Sequence, residues 1–401
     1  MGLADAHWVI DLRQCLLHLL ALFYMIASLS APTNNRLSTM RSPLQTQLLS
    51  VDDIRQIAQH VGLDALMDEM IVRLDDALCH FDPTQTVIPV RTGFNYRQPN
   101  VGLVEWMPLF QKSRQIVVKA VGYHPRNPEL YALPTVLSTI SAYDPASGHL
   151  LAVVDGTFLT ALRTGAASAL ASRHLARPDS RVLGLVGAGA QAVTQLHALS
   201  RGFDLKQVWV YDIDPDVMTS FAERVAPLNI KTIKIQPAQL ADVVAAADIL
   251  CTATSVDVGE GPVFADGNLK PWLHVNAVGA DFPGKIEVPL SLLERGFVCP
   301  DFRKQALIEG ECQQLMTSQA IGAELFEIVQ YPDRYQPYQQ QPTVFDSTGF
   351  ALEDQVALNM LLDYARELQV GTWTYLESAA ADVKNPYSFV SSPSTEHAVS
   401  L

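Results

Sequence analysis

The run Leu183-Gly184-Leu185-Val186-Gly187-Ala188-Gly189-Ala190-Gln191-Ala192 constrains this chain more than any other stretch of it. An apolar strand pattern stops at Gly187 and a helix pattern starts by Ala190, with the spacing G-x-G-x-x-A. Gly187 permits a tight turn, Gly189 leaves room for a ligand against the backbone, and Ala192 is small enough for close helix–strand packing. The unpaired amides of the helix N-terminus attract phosphate. A second strand pattern, Gln207-Val208-Trp209-Val210-Tyr211-Asp212, ends in an acid that can hydrogen-bond both hydroxyls of an adenosine ribose. Together these features predict a dinucleotide site. A carboxylate there repels a 2′-phosphate, so the pattern favours NAD over NADP. Asp212 alone also reads as a helix cap, and Asp214 is close enough to be confused with it.

The surroundings support a parallel sheet. Strand patterns at 181–187, 207–212, 230–235, 248–254, 272–279 and 296–301 alternate with helix patterns from 190, from 215 and near 239–247. Upstream, 86–155 has a different texture. Short β-rich runs at 116–123, 135–144 and 150–155, the last two joined by Asp144-Pro145-Ala146-Ser147-Gly148, predict an antiparallel sheet. Ser50 and Asp53 open an amphipathic helix whose stripe is Ile54, Ile57, Val61, Leu66, Met70, Leu74 and Leu78. Residues 157–176 are Ala-rich and helical, a late helix covers 350–371 and stops at Gly371, and the tail after about 376 reads as irregular.

Composition sets the outer limits. At 401 residues the chain suits two or three domains. With 48% apolar and 17% charged residues it is not globally disordered. A net charge of −14 makes nucleic acid and anionic membranes poor partners. Cys15, Cys79, Cys251, Cys299 and Cys312 form no C-x-x-C pair and no disulfide framework, so reduced thiols and no metal are expected. The apolar stretch 15–31 follows Asp5 and Asp11 rather than a basic region. Three readings stay open for residues 1–39: sequence upstream of a start at Met40, an amphipathic or core helix, or a targeting segment. The dinucleotide signal favours a cytoplasmic location.

Several runs occur together and in order: Met107-Pro108-Leu109-Phe110, Val117–Val121, 159–171 (LTALRTGAASALA), the glycine turn, 278–287 (VGADFPGKIE) and 344–354 (VFDSTGFALED). From about Leu48 to Gly371 the chain resembles the ornithine cyclodeaminase/mu-crystallin family. The resemblance implies a Rossmann-type doubly wound sheet, at 157–345, inserted into an α+β substrate-binding and dimerisation domain formed by both chain ends, 44–156 plus 346–375. Residues 1–43 are then an extension and 376–401 a tail.

Candidate site residues follow from chemistry and from the resemblance together. Arg91 and Lys119, cations on strand-like segments, can clamp an α-carboxylate, and the matching family positions do so. Each also reads as a surface or snorkelling charge. Glu105 either orients or deprotonates an amine or belongs to a surface pair. Asp281, beside Pro283 and Gly284 at the carboxyl end of a strand, is the expected acid–base; Asp-x-Pro-Gly is otherwise a plain turn. Asp301 matches an acidic position facing a distal amine. For the cofactor, Thr252 or Thr254 can reach the nicotinamide half, or cap a helix. The resemblance adds Thr135, Arg163, Val278, Gly279, Lys285, Ser347 and Thr348 to Gly187, Gly189, Ala190, Gln191 and Asp212. Arg163 also reads as a contact for the carboxylate or as an interdomain salt bridge, and Ser347 and Thr348 as a helix cap. The common family run K-T-E-L is here Lys285-Ile286-Glu287-Val288, without the hydroxyl.

The implied activity is NAD-dependent conversion of L-ornithine, or a related diamino acid, to L-proline or a cyclic imino acid and ammonia, in a homodimer. The alternatives are a ketimine reductase or an alanine-type amino-acid dehydrogenase, acting on a cyclic imine or an amino acid. A third is a cofactor- or ligand-binding protein without turnover.

Overall fold

The computed structural model describes residues 44–391, apart from 229, 231–232, 316–319 and 379. The readings of residues 1–39 and of Cys15, and the last part of the tail, lie outside the described residues.

The first sheet gathers β1 (Thr46–Leu49), β2 (Thr86–Val87), β3 (Thr92–Tyr96), β4 (Gly102–Gln111), β5 (Gln115–Tyr123), β6 (Val136–Tyr143), β7 (Leu150–Asp155) and a late strand, β15 (Thr372–Thr374). Its order is β15-β1-β7-β6-β5-β4-β2, with β3 also on β4. All pairs are antiparallel except β1 with β7. The expected hairpin of β6 and β7 is present, and Gly148 takes the left-handed conformation its turn needs (φ 80°). Period-two alternation sets what faces inward. On β4 it buries Leu103, Glu105, Met107 and Leu109, and on β5 Val117, Lys119 and Val121. Glu105 and Lys119 therefore occupy core-facing positions because of their place in the strand.

Helices α1 (Val51–Val61) and α2 (Leu63–Cys79) cover this core. The Ser50–Asp53 capping box is formed as the pattern predicts. The single helix expected through Leu78 is instead two, because Gly62 adopts φ 88° and breaks it. Every apolar position named for it is still buried except Val61, which is half-buried.

From β7 the chain enters α3 (Thr157–Leu175), buried along nearly all its length. The second sheet follows: β8 (Val182–Val186), β9 (Gln207–Tyr211), β10 (Lys234–Pro237), β11 (Ile249–Thr252), β12 (His274–Ala277), β13 (Phe297–Pro300) and β14 (Thr343–Asp346). Its order is β10-β9-β8-β11-β12-β14-β13, and every pair is parallel. This is the doubly wound sheet that the alternation predicts. Helix α4 (Ala190–Gly202) leaves β8, and α5 (Arg303–Glu309) follows β13. Two expectations shift. The strand placed at 230–235 begins only at Lys234, since Ile230 and Ile233 close a turn. The short β14, not foreseen as a strand, inserts between β12 and β13. It ends at Asp346, one residue past the expected boundary.

Helix α6 (Ala351–Leu368) packs on α2 and α3. It stops before Gly371, where Gln369 (φ 56°) and Gly371 (φ 96°) turn the chain into β15. A short 3-10 stretch at Pro386–Ser391 interrupts the expected irregular tail. Cys79, Cys251, Cys299 and Cys312 are unpaired. Among the described residues no helix is long and apolar enough to cross a membrane, and no group of three or more His, Cys, Asp or Glu could hold a metal.

Candidate active site

The carboxyl edge of the second sheet carries the dinucleotide features. Gly187 has φ 88°, and a β-carbon there would meet the Ala253 carbonyl oxygen at 2.6 Å, so only glycine fits. A β-carbon on Gly189 would meet nothing within 4 Å, which leaves open space directly over the turn. Gly189 precedes α4 without a side-chain cap, so the first amides of the helix remain available. Asp212 accepts from the Ala188 amide (2.7 Å) and the Asp214 amide (2.9 Å). The helix cap is Asp214, which holds the amides of Asp216 and Val217 ahead of the helix Pro215–Thr219. Nearby, the Ser347 and Thr252 hydroxyls are buried without a hydrogen-bond partner among the described residues. Open glycine turn, uncapped helix, ribose-type acid and idle hydroxyls all suit a pyridine dinucleotide.

Beside this edge lies a cleft of about 570 Å³, its open mouth included. It gathers Arg91, Glu105, Lys119, Arg163 and Asp281 with Gln191 and Val278 from the nucleotide side and Ser347 and Thr348 from the loop after β14. The cations arrive from separate elements. Arg91 stands just before β3, Lys119 on β5 and Arg163 on α3. Each already has an acid. Arg91 donates through Nε to Glu309 (2.6 Å) and through Nη2 to the Thr348 carbonyl (2.6 Å), and its Nη1 lies 3.6 Å from Glu105. Lys119 Nζ donates to Asp354 Oδ1 (2.9 Å), and Arg163 Nε reaches the same oxygen at 3.2 Å. Arg163 Nη1 donates to Glu353 (2.7 Å). Arg163 is thus drawn to the acceptor of Lys119, on the cation side of the cleft.

Burial governs protonation here. Desolvation, with Arg163 alongside, pulls the Lys119 ammonium down to about 8 although Asp354 opposes the shift. Desolvation pushes Glu309 up to about 7 and Glu353 up to about 8, against the pull of Arg91 and Arg163 respectively. Glu105 is also raised by burial, which Arg91 only partly offsets.

Asp281 is half-buried at the cleft wall, and Lys285 Nζ donates to it at 3.2 Å. Lys285 also stands 5.0 Å from the Tyr123 ring centroid. Burial works against its charge, but Asp281, Tyr123 and Glu287 together raise its pKa and keep it protonated. Lys285, expected at the cofactor, is therefore partnered with the candidate acid–base. Gly279 serves Glu287: its amide donates to Glu287 Oε2 (2.9 Å), and a β-carbon there would overlap that carboxylate. The other Glu287 oxygen accepts from the Thr254 amide and hydroxyl (2.7 and 2.6 Å).

Asp301 and Thr135, both expected at the site, do not line the cleft. Asp301 is fully buried, and its carboxylate accepts from Thr348 Oγ1 (2.9 Å) and the amides of Gly349 and Phe302 (both 2.6 Å). It braces the loop after β14 and does not line the cleft wall. Thr135 precedes β6, and its carbonyl accepts from the His124 amide at 2.8 Å; its neighbour Val136 lines the cleft in its place. Sequence reasoning missed Tyr123, Glu309, Glu353 and Asp354. Tyr123 continues the Lys119–Val121 alternation. Glu353 and Asp354 are consecutive acids within an apolar helix start, Phe350-Ala351-Leu352 before them and Val356-Ala357-Leu358 after, and that mismatch was the available signal.

Comparison with known proteins supports the same reading. L-lysine cyclodeaminase of Streptomyces rapamycinicus is 42% identical over 346 residues, covering 86% of this chain and 100% of that protein. A solved lysine cyclodeaminase, described with recognition of L-lysine, L-ornithine and L-2,4-diaminobutyric acid, superposes with a TM-score of 0.83 at 45% identity, covering 86% of this chain and 99% of that one. An archaeal alanine dehydrogenase dimer with bound NAD gives a TM-score of 0.73 at 27% identity, covering 83% and 100%. The model of one family matches residues 51–369, and the chain belongs to it: the ornithine cyclodeaminase/mu-crystallin family.

Proposed function

We propose that this chain is a cyclodeaminase that closes a linear α,ω-diamino acid into a ring with loss of ammonia. L-lysine is the first substrate to test and L-ornithine the second. The sequence alone favoured ornithine; the likeness to an L-lysine cyclodeaminase over that protein's whole length reverses the order. The observation that carries the reading is the charge pattern of the cleft. Arg91, Lys119 and Arg163 suit an α-carboxylate, while Glu105 and Asp281 line the same cleft within electrostatic reach of Arg91 and leave the wall acidic as well. An amino acid with a second ammonium group matches that wall better than alanine does.

The chain is an enzyme, and its cofactor is NAD. Gly187, Gly189, Ala190 and Gln191 suit its phosphates and Asp212 its ribose, and we assign Val278, Ser347 and Thr348 to the ring. When bound, NAD supplies reversible oxidation at the substrate Cα. The protein supplies the rest. Arg91, Lys119 and Arg163 fix the carboxylate and so set the position of Cα. Asp281, held by Lys285, takes the proton of the α-amine and returns one to the departing ammonia. Glu105 has a buried oxygen, Oε2, without a hydrogen-bond partner among the described residues, which suits it to receive the substrate's ammonium group. We assign substrate binding and dimerisation to 44–156 plus 346–375 and cofactor binding to 157–345. The exposed Phe94 and Trp106, in edge contact at 5.5 Å on the outer face of the first sheet, suit a homodimer.

The test is a mass balance. Purified protein with catalytic NAD and L-lysine is expected to release ammonia and L-pipecolate in equal amounts without net change at the nicotinamide absorbance. Stoichiometric NADH formation from L-alanine, or NADH consumption with cyclic imines, would instead establish the dehydrogenase or ketimine reductase reading.

A further inference from the structure

We propose that Glu309 is the positioning residue for Arg91: its carboxylate and the Thr348 carbonyl fix the guanidinium so that Nη1 faces the cleft. The inference rests on the reading of Arg91 as the clamp for the substrate carboxylate.

A guanidinium at the end of a long side chain has many rotamers, and a clamp works only when one is selected. Here two of its three nitrogens are already occupied. Nε is held by Glu309 at 2.6 Å and Nη2 by the Thr348 carbonyl at 2.6 Å. Among the described residues, Nη1 has only the longer 3.6 Å approach of Glu105. Glu309 does not line the cleft, and its side chain is 4% exposed, so it is poorly placed to meet substrate itself. Its own helix gives it no reason to be charged: it is the last residue of α5, the end where a helix disfavours an anion. Its ion partner is Arg91.

The same helix steadies the rest of this corner. Gln305 accepts from the Arg91 amide at 3.4 Å and donates to Thr348 Oγ1 (3.1 Å) and the Gly349 carbonyl (3.0 Å). The Glu309 carbonyl accepts from the Phe282 amide, next to Asp281, at 3.1 Å. One side chain on α5 thus aims the clamp while its backbone anchors the neighbour of the acid–base. Without the Glu309 carboxylate the guanidinium is free to fall onto Glu105, and both groups are then lost to substrate.

The experiment is calorimetric titration of L-pipecolate into the NADH-loaded protein, a dead-end pair that does not turn over. Glu309→Ala is expected to weaken L-pipecolate about tenfold or more. Glu309→Gln, which keeps an acceptor for Nε, is expected within about threefold of the wild type, with NADH affinity unchanged in both. Equal weakness of the two variants, loss of NADH by either, or an unchanged Kd in Glu309→Ala overturns the inference. Arg91→Met separates the two readings. If it leaves L-pipecolate binding intact, the clamp assignment fails and Glu309 with it. If it abolishes binding while Glu309→Ala does not, Glu309 alone is wrong. A wild type that does not bind L-pipecolate refutes the functional reading itself.

Discussion

The two walls of the cleft are made of different material. The nucleotide wall is mostly backbone: a glycine turn, uncapped helix amides and one ribose-type acid, all between Gly187 and Asp212. The substrate wall is mostly charge. Its three cations come from β3's approach, β5 and α3, and their acids come from α5 and α6. A backbone site asks for a local sequence and tolerates almost any surroundings. A charge site in a buried place needs every ion paired, because an unpaired one is costly to desolvate. The partners can then sit hundreds of residues away.

The contrast breaks most visibly at Asp281, which lies where the walls meet. Asp281→Asn is expected to lower kcat about 10²–10⁴-fold while the dissociation constant for NAD holds. Near-normal turnover in that variant would show that the acid–base is another residue. A smaller effect should isolate the nucleotide wall. Asp212→Ala is expected to weaken NAD about tenfold and to reduce its preference over NADP, with little change in the KM for the amino acid. An unaltered preference would mean that the contacts of Asp212 with Ala188 and Asp214 are its whole purpose. The mildest probe is pH, and it addresses the substrate wall alone. Burial holds Lys119 below its ordinary value, at about 8, so its charge is lost as pH rises through that point. KM for L-lysine is then expected to climb above about pH 8, approaching tenfold per unit, while NAD affinity stays level. A KM flat across that range would remove Lys119 from carboxylate binding.

The same contrast decides what could be read in advance. Gly187, Gly189 and Asp212 announce themselves, because strand, turn, helix and acid follow one another in the chain and each demands its residue type. The parallel sheet was legible for the same reason, from the alternation of short apolar runs. On the other wall Arg91, Lys119 and Asp281 were named with the help of resemblance and line one cleft, but their partners were not named. Nothing near Lys119 in the sequence points to Asp354, and nothing near Arg91 points to Glu309. Asp301, an acid in a matching position, also accepts from the loop at Thr348 and Gly349, a contact that nothing near it in the sequence announces. The break at Gly62 was missed because the apolar stripe continues on both sides, and stripe periodicity does not register one residue with positive φ. β14 was missed because four residues ahead of a strong helix read as its lead-in.

That overlooked strand bears on how the molecule is assembled during synthesis. β13 leaves the ribosome well before β14, yet among the described residues its one neighbour in the sheet is β14. The growing chain therefore carries an unpartnered strand until Thr343–Asp346 emerges, and the counter-ions of Lys119 and Arg163 emerge directly behind it. Thr343–Asp346 joins β12 to β13 and the acids behind it neutralise the buried cations, so a chain cut short before Thr343 lacks both that strand and the partners of Lys119 and Arg163.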